Sequence, residues 1–234
     1  DIQNLLHPRF AVKAMQSTDI FSVGGSLSVN AHGMDHQAGS IAGSVRSLKV
    51  MLADGSVTVC SPVENAELFR HVVGGYGLFG VVLEATLDIV DNAVYRTSRE
   101  IISSDDFPAY FTEVLEPNRD IGLFYGHLST APGNFLQDMI VYRYDRVADF
   151  PPADQPPIDE PGVVGLKRLV MNMAKLGGLF QEMKWFMEKT LEPRFEACTV
   201  ARSAAMGEGE ACLVTRNNPM HDSVPYLFND LPGE

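Results

Sequence analysis

Two glycine-rich segments constrain this chain more than any other feature of its sequence. They read VGGSLSVNAHG over residues 23–33 and GGYGLFGVV over residues 74–82. Glycine has no Cβ, so a segment built on it brings main-chain N–H groups within hydrogen-bonding reach of a large ligand. Converging N–H groups form a cradle for an anion such as a pyrophosphate. The two segments therefore predict a binding site that is made by backbone rather than by side chains.

The sequence between the two segments predicts a β-hairpin followed by a helix. Apolar and polar residues alternate over residues 45–52, and a second strand-like run occupies residues 57–60 after the turn sequence ADGS. Residues 61–73 begin with Ser-Pro, carry apolar side chains at helical spacing and end at a glycine pair. A last strand is predicted over residues 81–90.

The spacing Gly-x-Gly-x-x-Gly also occurs here, from Gly75 to Gly80. In a Rossmann fold this motif follows a strand and opens a helix. Here it follows a predicted helix and leads into a predicted strand, so we exclude the Rossmann motif. Residues 74–77 taken alone are equally consistent with a helix terminator, and only both segments together predict a nucleotide site.

The pattern of the chain changes near residue 93, where we place a domain boundary. We predict an α+β fold with one domain over residues 1–92 and a second over residues 93–234. In the second domain the predicted elements are strands over 95–102, 122–128 and 136–144 and a helix over 105–115. Five prolines fall within residues 150–162, which predicts an exposed and partly extended loop.

Further along, apolar residues recur at steps of three and four over residues 166–187. This spacing predicts one amphipathic helix with a bend at Gly177-Gly178. The interpretation that we favour is a helix packed on its own domain with its basic side chains in solvent. The alternative is a helix that binds a membrane surface or a partner, including a second copy of the chain in a homodimer.

Charge and cysteine content exclude several classes of partner. The formal net charge is -12, and a surface this acidic repels phosphate backbones and anionic lipid head groups. Neither nucleic acid nor membrane association is therefore expected. No stretch reaches the roughly 18 apolar residues that a membrane span needs. The three cysteines show no Cys-x-x-Cys spacing, so we predict no metal site and expect a soluble protein in the reducing cytoplasm.

Several motifs follow one another in order: VGGSLSVNAHG, AGSIAGSV, SLKVMLADGSVTVCS and ENAELFRHVVGGYGLFGVVLEATL. In this order, residues 21–90 resemble the second half of the FAD-binding (PCMH-type) domain of the vanillyl-alcohol oxidase flavoprotein superfamily. Within it, the chain is most similar to the sugar and aldonolactone oxidases, a branch that includes decaprenylphosphoryl-ribose oxidase. The resemblance implies FAD as cofactor and a substrate (cap) domain after residue 92.

The resemblance also implies which residues of the first segment contact FAD. They would line the nucleotide, the ribityl chain and the edge of the isoalloxazine, with Gly24 and Gly25 donating their amides. This set is Ser22, Val23, Gly24, Gly25, Ser28, Val29, Ala31, His32 and Gly33. Asn30 and Ser40 would be neighbours of the cofactor.

In the second segment, the resemblance implies that Gly77 and Gly80 let the chain pass close to the nucleotide. The backbone of Val81 and Val82 would pair with the adenine. No residue of the chain is assigned as the catalytic base.

The activity implied by the resemblance is oxidation of a CH–OH group of a sugar-like or aldonolactone-like small molecule by hydride transfer to flavin N5. Decaprenylphosphoryl-ribose oxidases carry a substrate-contacting lysine after the His-Gly pair, where this chain has Met34. That substrate is therefore not expected. Because the family's flavin domain has a first half before these motifs, we expect the chain to be a piece of a longer enzyme. The alternative function is a non-catalytic nucleotide-binding or assembly module that retains the fold.

Overall fold

The computed structural model describes residues 2–16, 21–148, 164–190 and 213–215, with backbone alone at 164–168 and 213–215. The described residues divide into two compact units on either side of the bond between Asn92 and Ala93. Both units combine helices with antiparallel strands, which confirms the predicted α+β class.

The described residues of the first unit form three short helices and five strands. In chain order they are α1 (Ile2–Leu6), β1 (Phe10–Val12), α2 (Val23–Ser28), β2 (Val45–Met51), β3 (Val57–Cys60), α3 (Ala66–Val72), β4 (Val81–Leu87) and β5 (Ile89–Asp91). A 3-10 turn at Ile41–Ser44 precedes β2. The strands form a three-stranded sheet of order β3-β2-β4 and a two-stranded sheet of β1 and β5.

The predicted hairpin is confirmed, with Leu48 opposite Cys60 and Met51 opposite Val57. One face of the three-stranded sheet packs on α2 and α3 and forms the core of this unit. The buried side chains of that core are Leu27, Ile41, Val45, Leu48, Val50, Cys60, Phe69 and Val72. Alternation with period two places Leu48 and Val50 on one face, which is why the hydrophobic pattern predicted the hairpin. Val45 does not follow this alternation, because the register shifts between Val45 and Ser47.

The strand predicted over residues 81–90 is interrupted at Asp88. Its main-chain N–H donates to the carbonyl of Ser44 at 2.7 Å, and its carboxylate pairs with Arg46 at 2.6 Å. The chain then leaves the three-stranded sheet, and β5 pairs with β1 instead. The sequence pattern predicted one continuous strand because these contacts join residues that are far apart in sequence.

The second unit is built on a four-stranded antiparallel sheet of order β7-β8-β6-β9. Its elements are β6 (Val94–Ser103), α4 (Phe107–Tyr110), β7 (Ile121–Leu128), β8 (Asp138–Arg146), α5 (Val164–Ala174), α6 (Gly178–Thr190) and β9 (Leu213–Thr215). The helix predicted over residues 105–115 is a 3-10 turn, then α4, then a π-helical turn at Phe111–Leu115. On one face of the sheet, Phe107 and Phe111 pack against Phe124 with ring centroids 6.3 and 6.1 Å apart.

The single amphipathic helix predicted over residues 166–187 is wrong. The structure has two helices, α5 and α6, separated at Gly177, whose φ of 135° a side chain rarely adopts. Lys184, which the favoured interpretation placed in solvent, is buried, whereas Leu176 and Met183 of the predicted apolar face are exposed. The loop predicted over 150–162 lies outside the described residues.

Candidate functional site

The two glycine-rich segments lie side by side, although forty residues separate them in sequence. The N–H of Gly74 donates to the carbonyl of Leu27 at 2.9 Å, and the N–H of Tyr76 donates to the carbonyl of Ser28 at 3.0 Å. These main-chain hydrogen bonds hold the end of α2 against residues 74–76.

A third segment, residues 40–44, closes on the first one. Ile41 donates its N–H to the carbonyl of Ala31 at 2.7 Å, and Ala42 donates its N–H to the Oδ1 atom of Asn30 at 3.1 Å. His32 and Ser40 form an isolated antiparallel bridge. Asn30 has a φ of 50°, a left-handed conformation that asparagine adopts more readily than most residues.

The beginning of the first segment is helical rather than an open loop. Residues Val23–Ser28 form α2, and Ser22 caps it by accepting a hydrogen bond from the N–H of Gly25 at 3.0 Å. The amide of Gly25, which the resemblance assigned to the cofactor, therefore already has a partner within the chain. Ser22 and Gly24 at the start of this helix are exposed.

The glycines of the two segments fall into an open and a packed group. A Cβ built on Gly24 or Gly77 has no neighbour within 4 Å among the described residues. A Cβ on Gly80 would lie 2.6 Å from Cγ1 of Val50 and 2.8 Å from the carbonyl oxygen of Met51, and one on Gly33 would collide with the carbonyl of Met15. Gly33 and Gly80 are thus required by packing within the unit, whereas Gly24 and Gly77 leave backbone uncovered.

Large apolar side chains within and next to the two glycine segments remain exposed. Tyr76 is 73% and Leu78 83% exposed, and Phe21, Val29 and Val81 are also exposed. The sequence interpretation did not include Tyr76, which has a φ of 52° and donates its N–H to the first segment. An aromatic residue set between two glycines was the signal that would have identified it.

The predicted cofactor residues differ in how far they reach solvent. Ala31 is buried. The half-buried residues are Val23, Gly25, Ser28, Gly33, Gly80 and Val82, and the exposed residues are Ser22, Gly24, Val29, His32, Gly77 and Val81. All of them belong to one unit, and α2, the residue 40–44 segment and β4 position them.

The second unit contains a polar cluster of a different kind, made by side chains. Lys184 and Glu188 form an ion pair of 2.5 Å between side chains that are mostly buried, and His127 lies 3.8 Å from the same carboxylate. Arg99 donates to the main-chain carbonyls of Glu188 and Lys189 at the C-terminal end of α6. Sequence reasoning missed this cluster because its members come from three separate elements.

Beside this cluster, Lys189 donates to the Oδ2 atom of Asp138 at 2.9 Å, and Asn134 donates to the same oxygen at 2.5 Å. The hydrogen bond from Lys189 is the main cause that holds the pKa of Asp138 below its usual range. These groups satisfy one another, so their arrangement supports packing of α6 on the sheet.

Among the described residues, no three His, Cys, Asp or Glu side chains are grouped so that they could hold a metal ion. In the same part of the chain, no helix combines the length and the apolar character that crossing a bilayer requires.

Several curated proteins are similar to parts of this chain. Decaprenylphosphoryl-beta-D-ribose oxidase of Mycolicibacterium smegmatis is 31% identical over 112 residues, which cover 46% of this chain and 24% of that protein. D-arabinono-1,4-lactone oxidase of Yarrowia lipolytica is 31% identical over 40% of this chain and 18% of its own length. Cytokinin dehydrogenase 4 of Arabidopsis thaliana is 37% identical over 38% of this chain and 17% of its own length.

These relatives confirm the resemblance to the sugar and aldonolactone oxidases and to decaprenylphosphoryl-ribose oxidase. The chain is homologous to oxidases and dehydrogenases, and the matched part spans about a quarter or less of each relative's length. No protein-family model matches the chain.

Proposed function

We propose that this chain is part of an FAD-dependent oxidoreductase that oxidises a CH–OH group of a sugar-like or aldonolactone-like small molecule. One observation carries the proposal: two glycine-rich segments, joined by main-chain hydrogen bonds, leave Gly24 and Gly77 uncovered beside exposed apolar side chains. A surface that combines open backbone with exposed aromatic and aliphatic groups suits a dinucleotide, which has both phosphates and flat rings.

The residues of the first unit fit FAD at both of its ends. Strand β4 is an edge of the sheet β3-β2-β4, so one side of its main chain remains available within the described residues. Val81 and Val82 at the start of β4 can offer that side to the adenine. At the other end, Ser22 and Gly24 at the exposed beginning of α2 would face the nucleotide, with Ser28, Val29 and His32 continuing toward the isoalloxazine.

Backbone donors are the expected way to bind a pyrophosphate in a chain whose formal net charge is -12. Uncovered N–H groups supply positive partial charge without a basic side chain. Gly25 is the weakest member of the set, because Ser22 already accepts its N–H.

Position 34 bears on the substrate class. Met34 is apolar and buried. It therefore does not supply the substrate contact that a lysine makes at this position in decaprenylphosphoryl-ribose oxidases. We therefore propose a sugar-like or aldonolactone-like substrate without a decaprenylphosphoryl group.

When bound, FAD would supply the chemistry by accepting a hydride from the substrate carbon at its N5 atom. The chain's own residues would bind and orient it. Main-chain N–H groups of the glycine segments would stabilise negative charge, and the exposed apolar residues around them would exclude water.

Within this proposal, residues 1–92 are the second part of the FAD-binding domain and residues 93–234 are part of the substrate (cap) domain. The lack of a disulfide-like cysteine pattern supports a cytoplasmic location.

The absorption spectrum of the purified full-length protein tests the proposal. We expect the bands of oxidised flavin, and we expect them to bleach when aldonolactones or polyols are added without oxygen. Buffer without substrate and a deoxy analogue, which lacks the hydroxyl that would be oxidised, serve as controls. Flavin bands that no substrate bleaches would favour a non-catalytic nucleotide-binding module, and a colourless protein that does not take up FAD would contradict the proposal.

A further inference from the structure

Helices α5 and α6 expose a row of large apolar side chains. Leu179, Met183 and Phe186 follow at steps of four and three, so they share one face of α6. Their side chains are 71%, 46% and 62% exposed. Leu169 on α5 is 56% exposed, and Leu176 directly after α5 is 72% exposed. We call these five residues the apolar row.

The other side of α6 is fixed to its own unit, which keeps the row turned outward. Trp185 and Lys184 are 5% and 7% exposed, and Lys184 pairs with Glu188. Arg99 holds the C-terminal end of α6 through main-chain carbonyls. Near its start, Glu182 accepts the N–H of Gly133 at 2.6 Å. Because Trp185 and its neighbours already pack inward, α6 cannot bury the row on its own sheet without giving up these contacts.

The charge of this region is opposite to that of the whole chain. Residues 164–190 carry five Lys and Arg against two Glu, a net of +3 in a chain of net -12. Lys184 pairs with Glu188, and Lys189 pairs with Asp138, which lies outside these residues and offsets one of the three positive charges. The remaining basic residues, Lys167, Arg168 and Lys175, all belong to α5 or follow it directly. Basic residues are thus concentrated on the helix that adjoins the apolar row.

We propose that α5 and α6 dock on an anionic lipid bilayer, with the apolar row inserted at the level of the head groups. An amphipathic helix with Leu and Phe on one face and Lys or Arg beside it binds membranes in this way without crossing them. The overall acidity of the chain predicted no membrane association. However, salt screens electrostatic interactions beyond about 8–10 Å, so the charge near α5 and α6 determines whether this face attracts anionic lipid.

A second copy of the chain suits the row less well. A symmetric dimer places the same patch of both copies in contact, which would bring two segments of net positive charge together. An anionic surface instead complements that charge. The proposal is independent of the flavin proposal, because the row belongs to the second unit and its binding needs no cofactor.

Sedimentation of the full-length protein with phospholipid vesicles tests this inference. We expect the protein to bind vesicles that contain phosphatidylglycerol, to bind vesicles of phosphatidylcholine alone more weakly, and to be released by high salt. The double variant Leu179→Glu/Phe186→Glu should lower the partition coefficient by about tenfold or more, because it removes two apolar contacts and adds two like charges at an anionic surface.

The matched control is Leu5→Glu/Val63→Glu, which makes the same change at two side chains of the first unit that are 83% and 93% exposed. It should bind vesicles like the unaltered protein. Absence of binding to anionic vesicles would overturn the proposal, as would equal loss in both double variants. A dimer in size-exclusion chromatography that only the row variant dissociates, without vesicle binding, would assign the row to a second copy and also overturn it.

Discussion

In the first unit, two glycines of the glycine segments have open space beside their Cα atoms, whereas in the second unit charged side chains around α6 pair with one another. Gly24 and Gly77 have no close neighbour on their Cα hydrogens, while Lys184, Glu188 and Arg99 each have a partner. An exposed glycine without a close neighbour lets a ligand approach the main chain closely. We therefore keep the first unit as the location of the candidate ligand site. In the charged cluster of the second unit, the Nε atom of Arg99 and the Oε2 atom of Glu188 are buried without a hydrogen-bond partner among the described residues.

The largest expected effect is a difference in stability between variants of a packed glycine and variants of an open one. Gly80→Val places a branched side chain against Val50 and Met51 at a φ of 141°, and should lower the free energy of unfolding by about 3–5 kcal/mol. Gly24→Val should change it by less than about 0.5 kcal/mol, because its Cβ meets open space. Urea unfolding of both variants measures this difference. Equal destabilisation would remove the distinction between the two groups of glycines.

A second test breaks the charged cluster of the other unit. Lys184→Met leaves the Glu188 carboxylate mostly buried without its closest cation and should cost about 3 kcal/mol of stability. The double variant Lys184→Met/Glu188→Leu should recover most of the loss, since no buried charge then remains unpaired. Thermal unfolding of the single and double variants checks this prediction. A stable single variant would show that the pair is effectively solvated.

A smaller effect is expected at Asn30, which joins the first glycine segment to residues 40–44. Asn30→Ala removes the acceptor for the N–H of Ala42. It also places alanine at a φ of 50°, which asparagine adopts more readily, so the free energy of unfolding should fall by about 1–2 kcal/mol. Asn30→Asp keeps an acceptor oxygen and should restore most of the stability. If both variants unfold at the same denaturant concentration, the hydrogen bond contributes nothing.

The smallest effect concerns the pH dependence of the second unit. The pKa of Asp138 is lowered in the folded state, mainly by its hydrogen bond with Lys189. Its stabilising contribution is therefore complete above its unfolded pKa of about 3.9 and is lost as pH falls through the lower folded value. The side chains of Asp138 and Lys189 are both about one third exposed, so the pair should contribute less than about 1 kcal/mol to stability. Unfolding of Asp138→Asn and the unaltered protein should differ at neutral pH and converge in acid, and a constant difference would exclude this linkage.

Local pattern was enough to predict the hairpin and the presence of strands on both sides of residue 92. These elements follow from alternation and from turn residues, both of which are local. The break at Gly177 was placed correctly but underestimated as a bend, because the spacing of apolar residues continues across it. The burial of Lys184 was missed because its partners, including His127 on β7, lie far away in sequence.

At the candidate site, too, local sequence patterns predicted only part of the structure. The sequence identified the glycine segments, but it did not distinguish Gly24 from Gly80. That distinction depends on whether Val50 or solvent faces the Cα atom, which only the three-dimensional arrangement determines. For the same reason, α2 was not predicted, since two glycines in its first turn conceal a helix that Ser22 caps.

The most direct test of the central claim is the affinity of the full-length protein for FAD with Gly24 replaced. Titration of the apoprotein should show that the affinity for FAD falls from the unaltered protein to Gly24→Ala and falls further in Gly24→Val. The affinity of Gly24→Val should be lower by about tenfold or more, because the branched side chain blocks one charge-assisted hydrogen bond. Melting temperatures of the three proteins should remain alike. Unchanged FAD affinity in Gly24→Val would contradict the assignment of the open glycine backbone as the cofactor site.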